Sequence, residues 1–353
     1  MIATRTPFRI TLGGGGTDLP SFYEKHGGFI LAMGIDKYMY VILNRPIVEN
    51  RIILHYTKSE SVEHAGQLKH ELAREALKLH QIDSGLEISS LADIPASTGL
   101  GSSSCYLVGL LTALHAYKKN YTSLEQIAEE ACHIELKLLS KGIGKQDQYM
   151  AAFGGMTVLD IAKDGRVRVR QLNLSSWALA ELISGCHIYY LQKKRDAMEM
   201  LEDQNQGMRG NSPRSSQVEE SLLHIKELGI EILKAIENED FDRFGNLMDR
   251  HWQNKKRLSQ KISSEEVDGL YEHVKKEYGV LGGKIIGAGG GGFLMLYAPK
   301  RKKDLTDFMQ KKGYFRLPYS IEFEGSKVVA NLRQSQALTE TNPHAPVAPI
   351  PFL

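Results

Sequence analysis

The sequence predicts an α+β fold, because segments typical of strands and segments typical of helices are interspersed along its 353 residues. Residues 38–43 and 52–56 are rich in β-forming side chains. Apolar residues recur at helical spacing within residues 67–80. Three separate glycine-rich segments lie beside strands and polar residues, which suggests backbones that converge on a ligand.

The remaining elements follow in chain order. A strand at residues 86–90 leads into a glycine- and serine-rich loop, behind which leucines at helical spacing indicate a buried helix. Ser123 and Gln126 form a capping-box signature that starts the next helix. Later segments are predicted as a hairpin at 157–172, a strand at 187–191, a polar loop at 202–216, helices over 218–278, a strand at 293–297 and a poorly ordered tail at 334–353.

The composition excludes several classes of protein. Charged residues make up 24% and hydrophobic residues 42%, as in ordinary globular domains. A net charge of +2 argues against nucleic acid or a membrane as the partner. The three cysteines show no CxxC spacing, so neither a zinc site nor a disulfide framework is expected. No stretch resembles a signal peptide or a membrane span, which predicts a cytoplasmic location.

The first glycine segment, residues 95–105, reads Pro-Ala-Ser-Thr-Gly-Leu-Gly-Ser-Ser-Ser-Cys. Small residues let the backbone curl so that several N–H groups point one way, and the helix behind adds the positive end of its dipole. No Gly-Lys-Ser/Thr follows, so this is not a Walker A loop. The segment is interpreted as a phosphate-binding loop, with a flexible connector as the alternative.

Two carboxylates accompany the second glycine segment, residues 142–155. Asp147 follows a glycine turn in Gly-Lys-Gln-Asp-Gln-Tyr, and Glu135 lies in a predicted helix twelve residues earlier. In phosphoryl transfer, one such carboxylate holds Mg²⁺ and the other orients or deprotonates an attacking hydroxyl. A solvated helix residue is the ordinary alternative for Glu135.

The third glycine segment, residues 284–293, contains a GxGxxG spacing at Gly287, Gly289 and Gly292. A dinucleotide-binding fingerprint requires a helix after the glycines, whereas a strand is predicted here. Close packing against another loop is therefore favoured over a dinucleotide site.

The N-terminal segment, residues 5–18, combines Arg5 and Arg9 with a run of four glycines and Asp18. Arginine binds phosphate or carboxylate through paired hydrogen bonds, and aspartate accepts hydrogen bonds from sugar hydroxyls. The alternative is an N-terminal strand with a surface salt bridge.

Together these segments resemble the motifs of the GHMP kinases, which include galacto-, homoserine, mevalonate and phosphomevalonate kinases. Residues 95–104 resemble the phosphate loop of that family, residues 287–293 its third motif, and residues 7–18 the substrate motif of its sugar-1-kinases. Arg9 and Asp18 match the first and last functional residues of the substrate motif. Gly15 stands where galactokinases have a glutamate, which argues against galactose as the substrate.

The resemblance implies a GHMP kinase fold with ATP and substrate in a cleft between two lobes. These are a ribosomal protein S5 domain 2-like lobe at residues 1–175 and a ferredoxin-like α+β lobe at residues 176–333. It assigns catalysis to Asp147 and Arg9, and Mg²⁺ binding to Ser103 and Glu135. The implied ATP-binding residues are Ser97, Thr98, Gly99, Leu100, Gly101, Ser102, Ser103, Ser104 and Lys145. The implied substrate-binding residues are Arg5, Gly14, Gly15, Gly16, Thr17, Asp18, Arg195, Gly289 and Gly290.

A closer resemblance is to the D-glycero-α-D-manno-heptose 7-phosphate kinases, carried by residues 5–20, residues 144–149 and His251-Trp252-x-x-Lys255-Lys256. It implies ATP-dependent phosphorylation of an anomeric hydroxyl, on the route to GDP-heptose, by a monomer or homodimer. The distal phosphate of such a sugar requires cations, and residues 193–195 and 255–257 are two candidate sets. The subfamily has a Thr-Gly turn after the strand at 187–191, whereas residues 192–195 here read Gln-Lys-Lys-Arg.

Three alternatives stay open from the sequence: a kinase for fucose or another hexose, a catalytically silent binding protein of the same fold, and an NAD-binding enzyme. A silent protein would be expected to lack Asp147 or an intact phosphate loop, and both are present. The strand after Gly292 disfavours the NAD-binding enzyme.

Overall fold

The computed structural model describes residues 1–192, 205, 207–208 and 213–332, which form two β-sheets and surrounding helices. The predicted α+β class is confirmed. Arg195, the candidate cations at 193–194 and the tail at 334–353 lie outside the described residues. The strands are β1 (Ile2–Gly13), β2 (Gly28–Asn44), β3 (Ile52–His55), β4 (Ser59–Val62), β5 (Leu86–Ala92), β6 (Met156–Ile161), β7 (Val167–Gln171), β8 (Cys186–Tyr190), β9 (Gly282–Ile285), β10 (Phe293–Tyr297), β11 (Phe315–Arg316) and β12 (Lys327–Asn331).

Helices cover both sheets. They are α1 (Pro20–His26), α2 (Glu71–Leu79), α3 (Ser102–Lys118), α4 (Leu124–Cys132), α5 (Gln146–Phe153), α6 (Ser176–Gly185), α7 (Pro213–Glu237), α8 (Phe241–Lys256), α9 (Glu265–Tyr278) and α10 (Lys302–Lys311). No helix within these ranges is both long enough and apolar enough to span a bilayer.

The first sheet is organised around the long strand β2. The first part of β2 pairs with β6 and its second part with β5, while β1 runs antiparallel along both parts. Strands β3 and β5 are parallel, and the remaining neighbours in this eight-stranded sheet are antiparallel. Because β1 is central, it carries Arg9 to the phosphate loop, where the Arg9 N–H donates to the Leu100 carbonyl at 3.4 Å.

The second sheet has the order β11-β8-β10-β9 and is antiparallel. Its core includes Trp252 from α8, Tyr271 from α9 and Leu294 from β10, whereas a separate core that includes Phe8 and Leu31 lies under the first sheet. Strand β12 returns to the first sheet and pairs with β1. The division of the chain into lobes at residue 175 stays a prediction.

Helix α3 fixes the position of the phosphate loop. Every residue from Ser104 to His115 is buried, which is typical of a helix that is apolar on all faces. Its N-terminus therefore cannot shift without disturbing the core around it.

Several elements begin where the sequence did not predict them. Helices α1 and α6 were missed, although Pro20 occupies the first turn of α1 and the Ser175 side chain caps α6 by accepting from the Ala178 N–H. Helix α7 begins at Pro213, inside the predicted polar loop.

The predicted cap at Ser123 is confirmed, because its hydroxyl accepts from the Gln126 N–H at 3.1 Å. After α4 the chain continues in a π-helical turn, His133–Leu138.

Candidate active site

A cavity of about 570 Å³ lies where the glycine segments and the N-terminal motif meet. This volume falls within the usual range for small-molecule sites. The structure brings thirteen of the predicted residues to its wall: Arg9, Gly15, Gly16, Asp18, Ser97, Gly99, Gly101, Ser102, Ser103, Ser104, Glu135, Asp147 and Lys255. The sequence interpretation did not assign a role in the site to several further lining residues, among them Thr11, Lys141, Gln146 and Lys284.

The phosphate loop ends in the N-terminus of α3. Gly99 and Gly101 have φ values of +87° and +84°, a region that L side chains rarely adopt. Gly101 is the residue that precedes the helix, so the N–H groups of the first turn, from Ser102 onward, lack intrahelical acceptors. These N–H groups and the helix dipole make the loop a suitable site for phosphate oxygens.

The third glycine segment packs directly against this loop, as expected from the sequence. A Cβ atom added to Gly287 would lie 2.5 Å from the Gly99 carbonyl oxygen, and one added to Gly292 would lie 2.1 Å from that of Thr98. Gly289 and Gly290 were predicted to contact the substrate, but they pack against Ile262 instead. The segment therefore supports the phosphate loop from behind.

Replacing Gly287 with Ala is expected to weaken ATP binding, because the new Cβ atom would displace the Gly99 carbonyl and Gly287 has a φ of +77°. We expect the KM for ATP to rise at least about tenfold and the free energy of unfolding to fall by about 1–3 kcal/mol. Gly279 has a φ of +70°, and a Cβ atom added there would have no atom within 4 Å, so Gly279→Ala is the matched control for backbone strain alone. Equal ATP affinities of the two variants would contradict the supporting role.

Asp147 lies in the first turn of α5 and is held by Arg9. Its Oδ1 atom accepts from Arg9 Nε at 2.7 Å and lies 2.6 Å from Arg9 Nη2. Arg9 Nη1 also donates to the Gly99 carbonyl at 2.7 Å, so one guanidinium joins the carboxylate to the phosphate loop. Among the described residues, no hydrogen bond reaches Asp147 Oδ2, which leaves that oxygen available to a ligand.

Glu135 is fully buried rather than solvated. Its Oε1 accepts from the Ser103 hydroxyl at 3.0 Å, and its Oε2 accepts from Ser104 at 2.7 Å and from Gln148 at 2.7 Å. Lys141 Nζ lies 3.6 Å from Oε1. Donors from helices α3 and α5, with Lys141 nearby, thus hold one carboxylate at the end of the phosphate loop.

The pair formed by Ser103 and Glu135 fits a magnesium ion. Mg²⁺ prefers oxygen ligands at about 2.0–2.1 Å in octahedral geometry, so neighbouring ligand oxygens lie about 2.9–3.0 Å apart. Ser103 Oγ and Glu135 Oε1 are 3.0 Å apart. The spacing of these two oxygens is therefore compatible with Mg²⁺, and Ser103 and Glu135 are the residues that would hold it.

Asp18 is a buried carboxylate close enough to Asp147 to interact with it electrostatically. Its oxygens accept from the Gln146 N–H at 3.1 Å and from the Gly16 N–H at 3.2 Å. Its pKa is raised to about 6, mainly by burial. The hydrogen bond from the Gln146 N–H opposes this rise, and the nearby Asp147 contributes to it. Gly144 packs closely against this carboxylate, because a Cβ atom on Gly144 would lie 1.9 Å from Asp18 Oδ2.

Other predicted residues lie outside the cavity. Lys145 Nζ donates to Glu129 and to the Gly165 carbonyl, both at 2.8 Å, on the far side of α5. Arg5 binds Glu322 at 2.9 Å and stacks on Tyr38. The Thr17 hydroxyl donates to the Phe29 carbonyl, and Gly14 packs against the backbone of Phe29. The Thr98 hydroxyl donates to the Pro95 carbonyl, and the Leu100 side chain is buried. The structure does not bring Lys145 or Arg5 to the site.

The sequence matches two family models and several known proteins. The family model described as the GHMP kinases N terminal domain matches residues 66–155, and the model described as GHMP kinases C terminal matches residues 232–314. The D-glycero-alpha-D-manno-heptose 7-phosphate kinase of Campylobacter jejuni is 28% identical over 338 residues, which cover 92% of this chain and 98% of the relative. The L-fucokinase/L-fucose-1-P guanylyltransferase of Bacteroides fragilis is 26% identical, but the match spans only 34% of that longer protein.

Solved structures agree in fold. A putative sugar kinase from Campylobacter jejuni has a TM-score of 0.72 and 26% identity, with 93% of this chain and 97% of that chain covered. A D-glycero-D-manno-heptose 1-phosphate kinase from Bacteroides thetaiotaomicron has a TM-score of 0.76 and 23% identity, with 94% and 100% covered. The chain thus has the fold and both domains of a family that uses ATP as its phosphate donor, and it belongs to the GHMP kinases as a phosphotransferase.

Proposed function

We propose that this kinase transfers the γ-phosphoryl group of ATP to the anomeric C1 hydroxyl of a sugar phosphate, and that D-glycero-α-D-manno-heptose 7-phosphate is the acceptor. The product is then the 1,7-bisphosphate, an intermediate for GDP-heptose. One observation carries the proposal: Asp147 lines the cavity and is held by Arg9 beside the phosphate loop, while one of its carboxylate oxygens accepts no hydrogen bond from the described residues. The acceptor is inferred from the relative of Campylobacter jejuni and from the shared motifs at residues 5–20 and 144–149.

The reaction requires only modest basicity from Asp147. An anomeric hydroxyl is more acidic than an ordinary alcohol, so a carboxylate can take its proton as the oxygen attacks the γ-phosphorus. The proton passes to Asp147 Oδ2, the new C1–O–P bond forms, and the bond between the γ-phosphorus and the bridging oxygen breaks to release ADP. Arg9 holds Oδ1 and places positive charge beside the transferring group.

The phosphate loop, Glu135 and Asp18 take the remaining roles, which are binding of the nucleotide phosphates, of the metal and of the sugar. N–H groups from Gly99 to Ser104 receive the nucleotide phosphates. Ser103 and Glu135 are the residues that would hold Mg²⁺, which would supply positive charge to the phosphate oxygens. Asp18 faces the same cavity and accepts hydrogen bonds from sugar hydroxyls. Glycine at position 15 removes the acceptor that galactokinases have there, which favours a sugar other than galactose.

An ADP-release assay with Mg·ATP tests the proposal. The acceptors to compare are heptose 7-phosphate, free heptose, fucose, galactose and mevalonate. We expect turnover with heptose 7-phosphate, and at least about 100-fold lower kcat/KM with each of the others. Preference for fucose would support the second candidate, a fucose kinase, which the 26% identical relative favours. Nucleotide binding without turnover of any acceptor would contradict both assignments.

A further inference from the structure

A group of basic side chains lines the cavity without any role in the reaction described above. His251 and Lys255 project from α8, and Lys284 projects from β9. All three are buried, with exposures of 0%, 7% and 2%. We call these three residues the basic cluster.

The basic cluster lacks the partners that usually accompany buried cations. Lys255 Nζ donates to the carbonyls of Ile285, at 3.2 Å, and Gly287, while Lys284 Nζ donates to that of Leu12 at 3.2 Å. Within the described parts of the chain, neither lysine forms an ion pair with a carboxylate, and neither ring nitrogen of His251 has a hydrogen-bond partner. Buried polar groups without partners are costly, so they indicate a binding site that a ligand completes.

The electrostatics point to an anionic ligand. Burial and, as a smaller cause, the positive charge of Arg9 together lower the pKa of Lys255 to about 7. The pKa of Lys284 is also lowered, first by burial and then by Lys255 and Arg9. Asp147 faces this region but is already paired with Arg9, and Asp18 is itself a buried carboxylate with a raised pKa. A multiply charged anion would restore the protonated, hydrogen-bonding form of the lysines.

The position of Lys284 within the basic cluster favours the acceptor over the nucleotide. Lys284 contacts Leu12, which directly precedes Gly13–Gly16 of the substrate motif. The nucleotide end of the cavity has its own positive groups, namely the N-terminus of α3 and Lys141 beside Glu135. Of the candidate set at residues 255–257, only Lys255 lines the cavity. Lys256 instead forms an ion pair with Asp268.

We propose that His251, Lys255 and Lys284 form the subsite for the phosphate group that the acceptor already carries. This inference rests on the proposed function and identifies how the enzyme would distinguish a sugar phosphate from a free sugar. Phosphate oxygens would replace the missing partners of the lysines and of His251, while the sugar C1 hydroxyl lies toward Asp147. The enzyme would then select a sugar phosphate over a free sugar, because the buried basic groups stay unpaired when the acceptor lacks its phosphate.

Kinetics of Lys255→Met and Lys284→Met test the subsite, with Lys256→Met as the matched control on the same helix. Methionine keeps the apolar stem, so the fold should be retained, and thermal unfolding checks this. For each of the two cluster variants we expect the KM for heptose 7-phosphate to rise about 10- to 100-fold, whereas the KM for ATP and the turnover of free heptose stay within about twofold. The control should match the wild type. A rise in the KM for ATP instead would assign the basic cluster to the nucleotide, and equal losses for both sugars would exclude phosphate recognition.

A binding measurement separates failure of this inference from failure of the proposed reaction. With ADP in the nucleotide site, calorimetry compares mannose 6-phosphate, mannose and inorganic phosphate. We expect the wild type to bind the phosphorylated sugar at least about tenfold more tightly than mannose, and Lys255→Met to lose that difference. This result would support the subsite even if the kinase assay identified another phosphorylated acceptor. Equal binding of mannose and mannose 6-phosphate by the wild type would overturn it.

Discussion

Replacing Asp147 with Asn is expected to lower kcat by about 10³-fold, because the amide cannot take the proton of the attacking hydroxyl. Asparagine has nearly the same shape and its oxygen can still accept from Arg9, so the change removes the base with little loss of volume. The KM values for ATP and for the sugar should change by less than about fivefold, since loss of an interaction made in the transition state appears in kcat.

Steady-state kinetics of Asp147→Asn, with calorimetric binding of ATP as a check on the site, measure this effect. Asp160 lies on β6 with an exposed side chain, and Asp160→Asn is the matched control with no expected change. A kcat within about tenfold of the wild type would show that Asp147 is not the base. A large loss of ATP affinity would instead indicate that its main role is to position Arg9 and the phosphate loop.

Replacing Asp18 with Asn is expected to weaken sugar binding. It is also expected to remove a loss of folding stability that the wild type shows as pH rises. The pKa of Asp18 is raised from an ordinary 3.8 to about 6 by burial, so the folded protein binds more protons than the unfolded chain between those pH values. Stability of the wild type therefore falls as pH rises from about 4 to 6 and is level above that range, with a total loss of about 3 kcal/mol. The Asp18→Asn variant has no such loss, because an amide does not titrate in this range.

Urea unfolding of both proteins at about pH 4.5 and about pH 8 measures this difference. The free energy of unfolding of Asp18→Asn, relative to the wild type, should increase by about 2 kcal/mol between the two pH values. Its KM for the sugar should rise about 100-fold because one buried acceptor of a sugar hydroxyl is altered. Asp304→Asn, which changes an exposed ion-paired carboxylate, should show neither effect. A relative stability that does not vary with pH would contradict the raised pKa.

The glycine turns and the helix cap could be predicted from the sequence, because they depend on residues a few positions apart. The glycines at 99 and 101 are required by positive φ angles, and Ser123 caps its helix through a residue three positions away. The packing of the third glycine segment on the phosphate loop also followed from the absence of a helix after Gly292. For the two glycines and the cap, short-range backbone requirements decide the outcome.

Contacts between distant segments were harder to predict. Glu135 is an ordinary helical glutamate by sequence, and its burial depends on donors from α3 and α5. Lys145 and Asp147 are neighbours in sequence, yet residues two apart on a helical turn point to different sides, so only Asp147 faces the cavity. Lys284 was part of a recognised motif, but no local pattern shows that a lysine between apolar residues faces a cavity.

Coupled ³¹P NMR of the reaction product tests the central claim most directly. The enzyme would be incubated with Mg·ATP and heptose 7-phosphate, and the new phosphate signal assigned by its coupling to sugar protons. We predict a product with two phosphate groups, the original one on C7 and a new one coupled to the anomeric proton. A new phosphate on any other carbon, or ADP formation without a new sugar phosphate signal, would contradict the assignment of Asp147 as the base for an anomeric hydroxyl.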